Sequence, residues 1–118
     1  MIRLMTLYKS GDVILIPFPF TDFSTFKNRP ALIISSTNFN RRSGDVFIAA
    51  ISSNLRVRGR YDYKLNQKGQ DTAGLPLPSV IKLGKILTID QRLIRKRIGY
   101  LPNEVAKKII KEICKILS

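Results

Sequence analysis

The sequence has no histidine, no tryptophan and a single cysteine, Cys114. Each gap removes a class of chemistry. Without histidine there can be no Ser-His-Asp or Cys-His catalysis, no His-based metal site and no paired-histidine RNA cleavage. One cysteine supports neither an internal disulfide nor a zinc-cysteine cluster. Cys114 lies in an apolar helical pattern, which predicts a small buried hydrophobe rather than a nucleophile. A chain that needs no disulfide suits a reducing cytoplasm. No apolar run approaches the length of a membrane span, and residues 1–9 lack a signal-peptide core. They read as a short lead-in, with Met5 a second candidate start. There is no Walker loop and no GxGxxG motif. No metal, cofactor or membrane is expected.

Acidic residues are scarce as well. Eight Asp and Glu stand against 21 Lys and Arg, a formal net charge of +13. Excess charge of one sign sets up a long-range attractive field, so a polyanionic partner is expected, either nucleic acid or an acidic protein. The plain alternative is a solubilising surface. With 44% hydrophobic residues in 118 positions, the chain can build the core of one domain, 1–118, without covalent staples.

What is present is organised around Gly11 to Ser36, GDVILIPFPFTDFSTFKNRPALIISS. Two apolar runs, Val13 to Ile16 and Ala31 to Ile34, read as paired strands separated by a polar, proline-bracketed loop. The first has apolar residues at both parities, so it is expected to be covered on both faces. Pro17 and Pro19 weaken its far end as a central strand, because neither can donate to a ladder. Pro30 holds Arg29 away from helix, which puts Arg29 at the mouth of the second strand. Side chains at such loop ends are often functional. The alternative is a surface arginine beside a proline turn. Phe18 and Phe20 are expected to pin the loop, whereas Phe23 and Phe26 lie where a base can stack.

Further along, Asn38 to Gly44 reads as a turn and Asp45 to Ser52 as a third strand. The loop from Ser53 to Gly59 follows, with Arg56, Arg58 and then Arg60 at alternating positions, set to contact phosphate from one side of an extended segment. The alternative is a solvated edge that discourages aggregation. Tyr61 to Leu65 reads as a short strand, and Asn66 to Gly74 as a mobile polar connector. The runs Ser79 to Leu83 and Ile86 to Ile89 are separated by a bend or bulge at Gly84. Asp90 to Leu93 suggests one helical turn and Lys96 to Tyr100 a last strand. Pro102 and Asn103 open a helix reaching about Leu117. Its apolar stripe is Val105, Ile109, Ile113, Ile116 and Leu117, and Lys107, Lys108, Lys111 and Lys115 lie mainly on the other side. The pattern predicts a mainly β fold, a small closed or half-closed barrel with a C-terminal helix.

Several of these stretches, taken in order, resemble the PemK/MazF family of toxin endoribonucleases. They are PFPFTD, RPALIIS, Ala49-Ala50-Ile51-Ser52, GLPLPSVIKLGKILTID and IGYLPNEVAKKIIKEICKIL. The resemblance implies an SH3-like barrel. It also implies a metal-independent, sequence-selective endoribonuclease on single-stranded RNA, leaving 2′,3′-cyclic phosphate and 5′-hydroxyl ends. Such toxins are homodimers, with RNA lying across the interface. They are neutralised by an acidic antitoxin protein, and the complex binds DNA to regulate itself.

Carried over by position, the catalytic pair falls on Arg29 and Ser52. Arg29 would stabilise the phosphorane-like state, since a guanidinium fork matches phosphate oxygens. Ser52 would hold the scissile phosphate, where relatives more often have threonine. Its alternative is a strand-end hydroxyl bonding the backbone. Lys27, Asn28, Ser53, Asn54, Arg56, Arg58 and Lys82 complete the expected RNA-binding set. Gly84 stands where some relatives carry a carboxylate, and Leu87 replaces a common arginine. The general base is therefore unassigned, with Asp22 as the fallback. The rival readings are a non-catalytic nucleic-acid-binding barrel and a gyrase-directed toxin resembling CcdB. The latter relies on a C-terminal tryptophan patch that this sequence lacks.

Overall fold

The computed structural model describes residues 7–19, 26–56 and 59–118. Among the described residues, six strands form one antiparallel sheet: β1 (Asp12–Pro19), β2 (Phe26–Ile33), β3 (Asp45–Ser52), β4 (Asp62–Lys64), β5 (Val80–Asp90) and β6 (Lys96–Tyr100). Their order across the sheet is β4-β5-β3-β2-β1-β6. The helices described with them are α1 (Thr37–Ser43), α2 (Gln67–Thr72) and α3 (Asn103–Leu117), with a 3-10 turn at Gln91–Leu93. Among the described residues, no helix is long and apolar enough to cross a membrane.

The alternation of side chains sorts the apolar residues into two cores. Val13, Leu32, Ala49, Ile51, Ile81 and Leu83 face inward with Ile109 and Ile113 of α3, and both edge strands reach the same cluster through Tyr63 and Ile98. The sheet therefore wraps round α3 as a half-closed barrel. Ile14, Ile16, Ala31, Ile33, Val46 and Ile48 form a second cluster on the other face. That answers the apolar character of β1 at both parities.

No ladder joins β4 to β6 among the described residues. The end of α2 closes the distance instead. Gly74, at φ +72°, lies so near β6 that a Cβ would stand 2.0 Å from the Ile98 carbonyl oxygen. A Cβ on Gly99 would stand 2.3 Å from the Ala73 carbonyl carbon. Only glycine permits two backbones to meet this closely.

Four expectations need correction. Arg29 is not at the mouth of β2 but within it, opposite Ile16. Pro30 is tolerated there because the β2–β3 pairing begins only at Ala31, so its missing N–H interrupts no ladder on that side. Likewise Pro17 and Pro19 lie beyond Leu15, the last β1 residue paired with β6. The expected turn at Asn38 to Gly44 is helix α1, whose N-cap Ser36 accepts from the Phe39 N–H and which ends on Gly44 at φ +77°. The expected connector at Asn66 to Gly74 is largely helix α2, with Asn66 accepting from Gly69 N–H. Cys114 is exposed rather than buried. The two runs around Gly84 form one strand, β5. Ala49 faces Ile86 while the next residue, Ala50, faces Lys82, so the extra residues between them make the expected bulge.

Candidate functional site

The site is built on the far ends of β2 and β3. Along β3, Ala49 and Ile51 turn into the inner core, so Ala50 and Ser52 take the opposite face. Ala31 of β2 pairs with Ala50. Two residues further out on each strand, beyond the last paired residues, stand Arg29 and Ser52, which alternation places on the same face. Arg29 is exposed and Ser52 half-buried. A guanidinium and a hydroxyl on one face of neighbouring strands suit an oxyanion such as phosphate.

Lys82 shares that face, opposite Ala50 on one side and Asp62 on the other. Its ammonium lies 2.8 Å from Asp62 Oδ2, and both side chains are about one-tenth exposed (11% and 10%). The Gly59 N–H donates to the same oxygen at 2.7 Å. Burial pushes the Asp62 carboxyl up, but the Lys82 and Gly59 hydrogen bonds and the charges of Lys82 and Lys85 outweigh it. The group is held below the ordinary aspartate value. Lys82, expected as an RNA ligand, thus has an internal carboxylate, and the pair ties the end of the 53–60 loop to β5.

That loop is shaped at its start by its own side chains. Ser52 Oγ accepts from the Asn54 N–H at 3.1 Å, and Asn54 Oδ1 accepts from the Arg56 N–H at 3.2 Å. Such side-chain-to-backbone bonds replace strand pairing with turns. The chain turns at Leu55–Arg56 and again at Arg60–Tyr61, so Arg56 and Arg60 each lie in a turn. Ser53, Asn54, Arg56 and Arg60 are all exposed. Arg58, Phe20, Phe23 and Asp22 lie outside the described residues. Phe26 opens β2, and its side chain is likewise outside them.

Behind the face that carries Arg29 and Ser52, on the inner side of the sheet, is a cavity of about 350 Å³. Leu15, Pro30, Ile51, Leu75, Leu77 and Ile98 are among its walls, and Asn28, Arg29, Ser53, Ser79 and Lys96 also line it. Among the described lining residues there are two cations and no carboxylate, which favours an anion. Of the expected residues, Asn28, Arg29 and Ser53 line this cavity, and Ser52 precedes Ser53 at the end of β3. Lys27 is exposed one step further along β2. The Leu75–Leu77 segment and Lys96 were missed. Lys96 was legible in principle from the basic triplet Arg95-Lys96-Arg97 at the start of β6, but nothing local showed that β6 would return beside β1.

A family profile described as PemK-like, MazF-like toxin of type II toxin-antitoxin systems matches residues 9–117. No curated protein sequence matches significantly. Among solved structures, a MazE–MazF complex from Deinococcus radiodurans superimposes with TM-score 0.74 at 18% identity, covering 95% of this chain and 97% of that one. An endoribonuclease from a mycobacterial species gives 0.72 at 18% identity, covering 98% and 95%. An endoribonuclease in complex with its cognate antitoxin, also mycobacterial, gives 0.71 at 17%, covering 96% and 95%. At these identities the superpositions speak for the fold, and the profile match speaks for the family.

Proposed function

Because this chain belongs to the PemK-like, MazF-like toxins of type II toxin-antitoxin systems, we propose that it is an endoribonuclease that cuts single-stranded RNA. What supports the reading is that Arg29 and Ser52 lie on the same face of neighbouring strands, near a cavity whose described lining holds Arg29 and Lys96 and no carboxylate. In this reaction the ribose 2′ oxygen attacks the adjacent phosphorus and loses its proton. The bond from phosphorus to the 5′ oxygen breaks, and that oxygen gains a proton. The products are a 2′,3′-cyclic phosphate and a 5′-hydroxyl. Negative charge gathers on the equatorial oxygens midway. Arg29 stabilises it, because its charge is permanent and its fork spans two oxygens. Ser52 orients the phosphate through its O–H, which remains available while its oxygen accepts from Asn54. No step calls for a metal ion.

The protein acts as a homodimer, the RNA running across both copies, and its partner in the cell is an antitoxin with an acidic segment. The charge of +13 fits both ligands, since RNA and an acidic chain present the same sign. Mycobacterial and Deinococcus proteins of this fold are described in complex with a cognate antitoxin or MazE. The test is incubation of purified protein with a long RNA in EDTA, with Arg29→Ala alongside. Cleavage by the wild type alone supports the reading. Binding without cleavage by either protein would leave the non-catalytic barrel in its place.

A further inference from the structure

We propose that the lysine face of α3 is a second landing surface for RNA, on the side of the sheet away from Arg29 and Ser52. It takes the sugar-phosphate backbone of a long RNA at a distance from the cut site, without reading sequence. The inference rests on the reading of RNA as the ligand.

Helix periodicity builds the surface. Ile109 and Ile113 are buried against the inner face of the sheet. Lys107, Lys111 and Lys115 recur at four-residue steps on the solvent side, with Lys108 beside them, and all four are exposed. At 1.5 Å per residue, the stripe is about 12 Å long. Alternation puts Arg29 on the other face of the sheet, with Ala31. The molecule measures 30 Å along its shortest axis, so a short RNA on one face does not touch the other.

The charge of the stripe is not spent within the fold. Among the described residues, Lys107, Lys108 and Lys111 form no ion pair. Lys115 meets Glu112 at 3.1 Å, but the two side chains are 64% and 41% exposed. A pair so open to water is weak and readily exchanged for another anion. Beside the first turn of α3, a cleft of about 220 Å³ separates it from β4 and α2. Exposed Lys64 and Lys68 line this cleft together with Glu104, and they extend the positive field beyond the helix.

What the face lacks narrows the partner. No aromatic side chain stands on α3, so no base can stack there. Lysine is a point charge without arginine's planar fork, which suits backbone contact rather than sequence readout. A helix that lies on a membrane needs a free apolar face. Here Ile109 and Ile113 are covered, and Ile116 and Leu117 are exposed only at the helix end. An acidic peptide would likewise find charge but no apolar anchor. RNA carries a charge at every nucleotide, and a long strand held on the catalytic face can pass round to α3.

The test combines Lys107→Gln, Lys108→Gln and Lys111→Gln, all at exposed positions where glutamine keeps the helix. Both this triple variant and its parent carry Arg29→Ala, which keeps the RNA whole. Binding is read by fluorescence anisotropy, with mixed-sequence RNAs of a few and of several tens of nucleotides. The triple variant is expected to bind the long RNA roughly tenfold more weakly and to lower the salt slope by about 2, which is about 0.7 for each lysine on a single strand. The short RNA is expected to bind both proteins alike. A second triple variant, Lys9→Gln with Arg41→Gln and Arg42→Gln, removes the same charge elsewhere and is expected to keep most of the long-RNA affinity. Equal losses from the two triple variants would make the effect one of net charge and overturn the proposal. Unchanged long-RNA binding would also overturn it, whether or not duplex DNA, polyglutamate or phosphatidylserine vesicles bind less well. The expected pattern, with no cleavage by the wild type in EDTA, would support the surface while removing the nuclease reading. Cleavage by the wild type, with long RNA bound alike by the triple variant and its parent, would remove the surface alone.

Discussion

The two ends of β3 use the same residue types for opposite purposes. At the Asp45 end, Asn40 is 1% exposed and fully engaged. Its amide nitrogen donates to the Tyr8 carbonyl at 2.9 Å, its side-chain oxygen accepts from Ser35 Oγ, and its backbone carbonyl accepts from Gln91. Ser35 Oγ in turn accepts from the Phe47 N–H at 2.9 Å. At the Ser52 end, Asn28 and Ser53 stand exposed with no internal partner among the described residues. Asparagine and serine are thus spent on the fold at one end and held available for a ligand at the other. Residue type does not separate the two roles; the company each side chain keeps does.

The largest expected effect breaks the available end. Arg29→Ala should lower RNA cleavage by roughly 10²–10³, the scale for losing one preorganised charge-stabilising donor, with the melting temperature unchanged. Retention of full activity in a folded variant would remove Arg29 from the mechanism. At the engaged end the signs reverse. Asn40→Ala should cost about 3 kcal/mol of stability, because it strands several buried partners, while activity per folded molecule is preserved. Urea unfolding alongside cleavage assays separates these outcomes.

Asp62→Asn tests the tie between the ends of the site. The Asp62 carboxyl is held below the ordinary aspartate value in the folded protein. Its contribution is therefore complete above that value and lost as pH falls through the lower, folded one. The asparagine variant should be about 1–2 kcal/mol less stable at pH 7. Its urea midpoint should also fall less than that of the wild type between pH 5 and pH 3. Parallel pH profiles for the two proteins would dismiss the tie. The smallest effect sharpens the catalytic assignment. Ser52→Ala should slow cleavage roughly tenfold, the value of one hydrogen bond, while Ser52→Thr should keep or raise the rate by fixing the hydroxyl's rotamer.

Elements with a strong period were readable in advance. β3, β6 and α3 occupy the spans their alternation or their three-and-four spacing predicted, because burying one face fixes both period and register. Helices α1 and α2 escaped because both are short and polar, with Asn40 and Gly69 as their buried residues. Their signals were the caps Ser36 and Asn66, which look the same in a turn. Arg29 and Ser52 were named from the sequence, yet their common face depends on the pairing of β2 with β3, whose outermost pair is Ala31 and Ala50. Lys82 was named as a ligand from its place in the resemblance, and its ion pair with Asp62, twenty residues upstream, was not legible because the two meet only through β4. Lys96 was passed over for the corresponding reason: β6 returns beside β1 from the far end of the chain.

The meeting of α2 and β6 carries a consequence for variation. Position 74 combines a left-handed backbone with a carbonyl where its Cβ would go, and position 99 faces the backbone of residue 73. Position 84, with nothing within 4 Å of a Cβ, has no such constraint. In a saturation library sorted for folded protein, the first two codons should return glycine alone, whereas the third should drift freely.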